Sequence, residues 1–301
     1  MRSLMIAGRR TPVRLCLLFV FVAHFGAAAA SAQVAVPLTV TRDEARGAFD
    51  IGGIGAELTL TFEETVGLHA AALEVTATVV NPLDPDLLSR LPPPVAVPLG
   101  NLLGTGLEPV VTIPTAFPVL LRIGPSATSP LSFSGIYTLS LHTHNLHLDR
   151  SVPFALFKAH DGGPFQDILS TEGRGSYRAG GGGGDFSEFL IVIDLQPIDA
   201  VIGGKFDALS ALLAEHDGEI APPAAAALAA ILDQARALYL AGALGPAKAQ
   251  VKAFSREVVR RSGEEIPDVW RAGCSLPVNV AGRLRSAADT LRFSIDRKMD
   301  Q

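Results

Sequence analysis

The sequence predicts an α+β multidomain protein: an N-terminal antiparallel β-sandwich over residues 33–204, then a C-terminal small helical bundle over 205–301, behind a signal peptide at 1–32. Three observations carry this. Apolar and polar residues alternate at period two as far as about residue 195, between stretches dense in Pro, Gly, Asn and Asp, which is the pattern of antiparallel strands. From Lys205 the apolar period becomes 3.6, that of amphipathic helices. The first 32 residues join a basic start to an apolar run and a small-residue ending, the three parts of an export signal.

At the N-terminus Arg2, Arg9, Arg10 and Arg14 surround or precede "LCLLFVFVAHFGAAAA", which ends in Ala30-Ser31-Ala32. This predicts cleavage before Gln33 and export, secreted or periplasmic. The run is short for a membrane span, and no later run approaches the roughly 20 apolar residues a span needs. Cleavage removes four arginines and no acid, so the mature chain keeps 21 of 25 basic residues against 30 acidic ones, a net charge of −9. The acid is concentrated: residues 33–204 hold 8 basic and 18 acidic groups, residues 205–301 hold 13 and 12. Such a body repels nucleic acid and anionic lipid, which leaves a protein or a glycan as the expected partner. Only Cys274 survives processing, so no disulfide framework holds the fold and burial must.

The strands follow in order. In "AELTLTFEETVGL" (56–68), Leu58, Leu60 and Phe62 share one face, and Glu57, Thr59 and Thr61 the other. "LEVTATVV" (73–80), "FPVLLRIGP" (117–125), "GIYTLSLHTHNLHL" (135–148), "VPFALFKAH" (152–160) and 186–195 continue the β pattern. The density of Pro between Pro82 and Pro130 suits edges and loops. One short helix is predicted at "DPDLLSRL", with Asp84 as cap and Pro85 at its first position. Five glycines, 180–184, lie between Tyr177 and Phe186. A phosphate-binding loop would need Lys and Ser or Thr after its glycines and then a helix. Here Asp185 and a strand follow, so the run predicts a flexible β-hairpin connection with Tyr177 and Phe186 facing each other across it.

Four helices come next. Phe206, Leu209 and Leu213 mark the first; Leu228, Leu232, Ala235 and Leu238 the second, stopped at Gly242; Ala247, Val251, Phe254 and Val258 the third, stopped at Gly263; Val280, Leu284, Ala287 and Leu291 the last. Short links between them predict antiparallel neighbours. The segment "LQPIDAVIGG" (195–204) is expected to finish the sheet and join the halves.

Two resemblances enter on particular residues. "GEI" (218–220), "ILDQARALYLAG" (231–242), "AKAQVKAF" (247–254) and "VVRRSGEEI" (258–266) resemble the helical module FIMAH, found near the ends of exported bacterial proteins; "CSLPV" (274–278) departs from its pattern. "LSFSGIYTLSLHTHNL" (131–146), "PFALFKAHDGGPFQDI" (153–168) and "GSYRAGGGGGDFSEFLIVID" (175–194) resemble an uncharacterised family of exported bacterial β-sandwich proteins. The resemblances imply a secreted β-plus-helical protein and supply no activity.

Candidate chemistry is sparse. His142 and His144 lie two apart on one strand and share a face, His147 is expected on the other, and His160-Asp161 follows a loop later. His142, His144, His160 and Asp161 together offer the donor set of a Zn²⁺ or Cu²⁺ site, against the alternative of a solvated polar sheet face. That divalent metal is the one cofactor the sequence suggests. No G-x-S-x-G elbow is present, and Cys274 has no histidine near it in sequence, so no catalytic residue is assigned. Glu63, Glu64, Asp84, Asp86, Asp161, Asp167, Glu172, Asp185 and Glu188 are acids that a glycosidase pair would draw on, and Asp161, Asp167 or Asp185 could serve a Ca²⁺ site on loops. Lys248, Lys252, Arg256 and Arg260 form a basic ridge at helical spacing, read as a solvated face. The expectation is therefore a non-enzymatic exported binding protein, with the sandwich loops as its interaction surface. The alternative is a secreted hydrolase or carbohydrate-active protein with a carboxylate-lined site. A ligand pocket between the halves would favour the alternative; a flat solvated sheet face with no convergent acids would favour the first.

Overall fold

In a computed structural model, residues 32–92, 111–148, 152–160, 162–173, 175–274 and 278–301 are described. The segment expected to be an export signal, apart from Ala32, and Asp161 lie outside them. The chain is α+β: two antiparallel sheets come mostly from its first two thirds, and the helices mainly from its last third.

The first sheet contains β1 (Gln33–Ala35), β5 (Leu73–Val79), β6 (Val111–Thr112), β7 (Val119–Pro125), β9 (Phe154–Ala159), β10 (Gln166–Asp167) and β13 (Ser187–Asp194). Its order is β1-β5-β7-β13-β9-β10, with β6 also paired to β13. The second contains β2 (Leu38–Thr41), β3 (Glu44–Ile51), β4 (Ile54–Val66), β8 (Ser132–His147), β11 (Leu169–Gly173), β12 (Ser176–Gly183) and β14 (Val269–Arg271). Its order is β11-β12-β8-β4-β3-β2, with β14 paired to the start of β8. Leu58, Leu60 and Phe62 on β4 point inward as their alternation predicts, and Leu139 and Leu141 on β8 join them. They share one core with Val75, Leu121, Leu156 and Ile191 of the first sheet. The first sheet is buried on its other face too, where Leu120, Phe157, Leu190 and Val192 meet Leu87, Leu88 and Phe165. That two-sided burial is why "FALF" and "FLIVI" are continuous apolar runs. Each such side chain withdrawn from water contributes about 1.5–3 kcal/mol.

The helices are α1 (Pro85–Leu88), α2 (Ile198–Glu215), α3 (Pro222–Leu240), α4 (Leu244–Arg261) and α5 (Val280–Met299). Asp84 caps α1, accepting from the Asp86 amide at 3.0 Å. Gly242 and Gly263, both at positive φ (76° and 79°), follow the ends of α3 and α4, where their lack of a Cβ permits the left-handed turn. The expectation for 195–204 is corrected: β13 ends at Asp194, Pro197 breaks the chain direction, and 198–204 is already the first two turns of α2. Phe206, Leu228, Leu232, Val251, Phe254 and Leu291 bring α2 to α5 into one apolar cluster. The β and helical parts pack together as one compact unit.

The glycine run is not a hairpin. Gly180 to Gly183 lie inside β12, paired to Ser140 through Tyr137 of β8, while β13 belongs to the other sheet. Gly184 to Phe186 is the crossing between sheets. Tyr177 accordingly packs on Phe154, with centroids 4.8 Å apart, and Phe186 on Tyr137, 5.4 Å apart. The glycines answer to contact. A Cβ on Gly184 would lie 2.6 Å from the Arg283 amide nitrogen and 2.7 Å from the Asn279 carbonyl, so α5 can lie on this strand only because the strand is bare. Asn279, fully buried, fixes that approach: its Oδ1 accepts from the Gly282 amide at 2.7 Å and its Nδ2 donates to the Gly135 carbonyl at 2.6 Å. One turn on, Arg285 donates twice to Glu63 of β4, at 2.7 Å each.

Candidate functional site

A cavity of about 510 Å³ opens where β9, β10 and the inter-sheet crossing meet α2 and α5. Its apolar walls include Phe157, Phe165, Ile168, Val201, Ala208 and Leu212. Each charged group arrives from a separate element. Lys158 lies on β9, His160 just after it, and Asp167 on β10. Asp185 lies in the crossing, Asp194 at the end of β13, Lys205 on α2 and Arg283 on α5.

The charges form two groups. In one, the Lys205 ammonium, with its side chain 9% exposed, is 2.7 Å from Asp167 Oδ2 and donates to Ser294 Oγ at 2.9 Å and the Thr290 carbonyl at 3.3 Å. Burial lowers the Lys205 pKa, and the Asp167 charge opposes that fall. Asp194, also buried, has its pKa raised by burial with a further push from Asp167, against the amide of Gln196 that donates to its Oδ1 at 3.0 Å. In the other group, Asp185 pairs with the Lys158 ammonium. His160 Nδ1 lies 3.6 Å and Arg283 Nε 3.8 Å from Asp185 Oδ2. Burial alone would raise the Asp185 pKa; Lys158 first, then Arg283 and His160, outweigh burial and lower it. The Asp185 carbonyl accepts from Tyr137 Oη at 2.8 Å and from Lys158 Nζ at 2.9 Å. Arg283 also reaches Glu215 at 3.0 Å and His216 Nε2 at 2.6 Å, tying α5 to the end of α2.

A second cluster stands on the outer face of the second sheet. His142 and His144 project from β8, and Glu57, the cross-strand partner of His142, projects from β4. Their ligand atoms lie within 4.8 Å of one another. His142 Nδ1 is 3.5 Å and His144 Nε2 is 3.7 Å from the Glu57 carboxylate, and His142 Nε2 is 2.5 Å from Ser176 Oγ.

Residues 20–299 match the model of a family described as a family of unknown function, DUF6689. The chain belongs to DUF6689. Neither the curated proteins nor the solved structures contain a match to it.

Within this DUF6689 chain the four residues expected to share a metal divide. His142 and His144 come together. His160 stands in the cleft on the first sheet, beside Asp185 and the Phe186 carbonyl. Asp161 lies outside the described residues. Without the strand register, Glu57 reads only as one of three polar residues on one face of β4. His147 is exposed, as His144 is, because the pairing of β8 with β12 shifts between Ser176 and Arg178 and Leu146 takes the inward position; His142 is half-buried. In the cleft, Asp167 and Asp185 stood among the candidate acids, whereas Lys158, Asp194, Lys205 and Arg283 did not. The available signal was Lys205, a cation beside Phe206 on the apolar side of its helix. The basic ridge is partly neutralised, with Lys248 paired to Asp296 and Arg260 to Glu257. Cys274 is exposed. No described helix is long and apolar enough to cross a membrane.

Proposed function

We propose that this is an exported, non-enzymatic binding protein that holds a small, neutral, partly apolar molecule in the cleft between its β part and its helices. In this reading the sheets form a sandwich and the C-terminal helices a bundle that closes one wall of the site. The observation that carries it is the cavity itself. Its volume is in the usual range for ligand sites, and apolar walls with a few convergent polar groups are what such sites present. Among the described residues the walls carry three carboxylates, two ammonium groups and one guanidinium, so the site favours neither a strong anion nor a strong cation. Two of the carboxylates are already matched by an ammonium group, which suits a recognition site with its charges fixed in advance.

The test is ligand-dependent thermal stabilisation, scored over a panel of neutral saccharides and other small amphipathic compounds. Ala208→Trp would fill the cleft from α2. The wild-type chain should show a compound-dependent rise in Tm that this variant lacks. A hit that stabilised Ala208→Trp equally would place binding elsewhere. Export is checked by sequencing the mature N-terminus, expected at Gln33.

Two observations favour a second reading, a secreted hydrolase or carbohydrate-active protein: the cleft between the halves, which is the feature expected of it, and the unequal surroundings of two of its aspartates. Asp194, whose pKa burial raises, and Asp167, ion-paired with Lys205, both line the cleft, and carboxyl groups in unequal surroundings are the elements of acid–base hydrolysis. Turnover of a glycoside panel that Asp194→Asn abolished would establish it.

A further inference from the structure

We propose that Glu57, His142 and His144 form a surface site for a divalent late transition metal of the Zn²⁺ or Cu²⁺ type, separate from the cleft. Side chains two apart on a strand share a face, and a directly paired residue on the next strand stands close to them. Here that geometry unites two imidazoles and one carboxylate. In tetrahedral coordination with bonds of about 2.0–2.1 Å, neighbouring ligand atoms are about 3.4 Å apart. His142 Nδ1 stands 3.5 Å from Glu57 Oε2 and His144 Nε2 3.7 Å from Glu57 Oε1, and one donor atom from each of the three residues lies within 4.8 Å of the others. A metal could therefore enter by small side-chain rotations, with no movement of the strands.

Orientation supports the same conclusion. His142 Nε2 is 2.5 Å from Ser176 Oγ on β12. With the proton on Nε2 and donated to that hydroxyl, the Nδ1 lone pair faces Glu57, and an outer partner of this kind is what fixes the tautomer of a metal-binding histidine. Arg178, the partner of His142 on β12, is the nearby cation to weigh. Its aliphatic stem lies over Gly173 of β11, on the side away from Glu57. The chemistry of two imidazoles and one carboxylate suits Zn²⁺ and Cu²⁺ over Ca²⁺ or Mg²⁺, which prefer oxygen ligands. Glu57 and His144 are more than half exposed, so the remaining coordination positions are open to water or to a ligand atom from another molecule.

The experiment is calorimetric titration of the mature full chain with Zn²⁺ in chelator-free buffer, repeated with Cu²⁺ and read by electron paramagnetic resonance. One equivalent should bind, with two nitrogens in the Cu²⁺ spectrum. Glu57→Gln, His142→Ala and His144→Ala should each weaken Zn²⁺ by more than about tenfold, and Ser176→Ala by about tenfold, the usual effect of losing an outer-shell partner. His69→Ala and His147→Ala should leave affinity unchanged. These side chains lie on the protein surface, so circular dichroism should show every variant folded. Failure to bind one equivalent, or binding that persists in the His142→Ala/His144→Ala double variant, overturns the site. Neither result bears on the cleft, which Ala208→Trp tests separately.

Discussion

The ammonium of Lys205 on α2 is 2.7 Å from the carboxylate of Asp167 on β10, and both side chains are nearly closed to solvent, at 9% and 13% exposure. This contact joins the helical part to the edge of the first sheet at the foot of the cleft. It also follows the rule for buried charge: an ion pair in a dry site is expensive to form but far more expensive to halve, because the survivor keeps its desolvation without its partner.

Lys205→Met should therefore destabilise the protein by about 3–5 kcal/mol, the usual cost of breaking a buried pair from one side. Adding Asp167→Leu should recover most of that loss, since neither charge then remains. Denaturant unfolding of the four members of the cycle measures the coupling. Equal losses in the single and double variants would show that Lys205 acts through packing of its stem and not through Asp167.

The two unequal aspartates of the cleft should pull stability in opposite directions with pH. Asp185 has a folded-state pKa below the ordinary 3.8. Its contribution is present above 3.8 and is lost as the pH falls from there through the folded value. Asp194 has a folded-state pKa above 3.8. Relative to its unfolded state it is most favourable when protonated, below 3.8, and that advantage is lost as the pH rises through the raised value. At neutral pH, Asp185→Asn should lower Tm and Asp194→Asn should raise it, the asparagine still accepting from the Gln196 amide. Stability curves from pH 3 to 7 check both; a fall in Tm for each variant at neutral pH would contradict the assignment for Asp194.

How far the sequence reveals this molecule depends on where its signals arise. Leu58, Leu60 and Phe62 betray β4 because a half-buried strand must alternate, and Gly242 and Gly263 mark helix ends because a left-handed residue favours glycine. These are local demands. The strand β12 hides because glycine has no side chain with which to display a period, and its glycines answer to distant neighbours: Gly184 to a helix about 100 residues later, Gly180 and Gly181 to Thr171 and Ile168, and Gly183 to Tyr137 and Lys158. The cleft hides for a related cause: Lys158, Asp167, Asp194, Lys205 and Arg283 belong to five elements, and only the pairing of sheets and helices makes them neighbours. Glu57 and the two histidines were each visible, but cross-strand register made them a set.

The sharpest test of that long-range demand contrasts two glycines. At Gly184 a Cβ would meet three backbone atoms of the α5 start, the Arg283 nitrogen at 2.6 Å, the Asn279 oxygen at 2.7 Å and the Gly282 carbon at 2.9 Å. Backbone atoms at a helix start cannot rotate aside as a side chain can, so the helix itself must move. Gly184→Ala should therefore destabilise by about 1–3 kcal/mol, the usual effect of overpacking. Because Arg283 and the crossing both line the cleft, the variant should also weaken ligand-dependent stabilisation. Gly203, in the interior of α2, has nothing within 4 Å of its missing Cβ. Gly203→Ala should stabilise by about 0.5–1 kcal/mol, because alanine loses less backbone freedom in a helix. Opposite signs for the same chemical change, read from denaturant midpoints, would attribute Gly184 to the seating of α5. Tolerance of alanine at Gly184, with midpoint and cleft binding both unchanged, would mean that the helix is not seated on the bare strand.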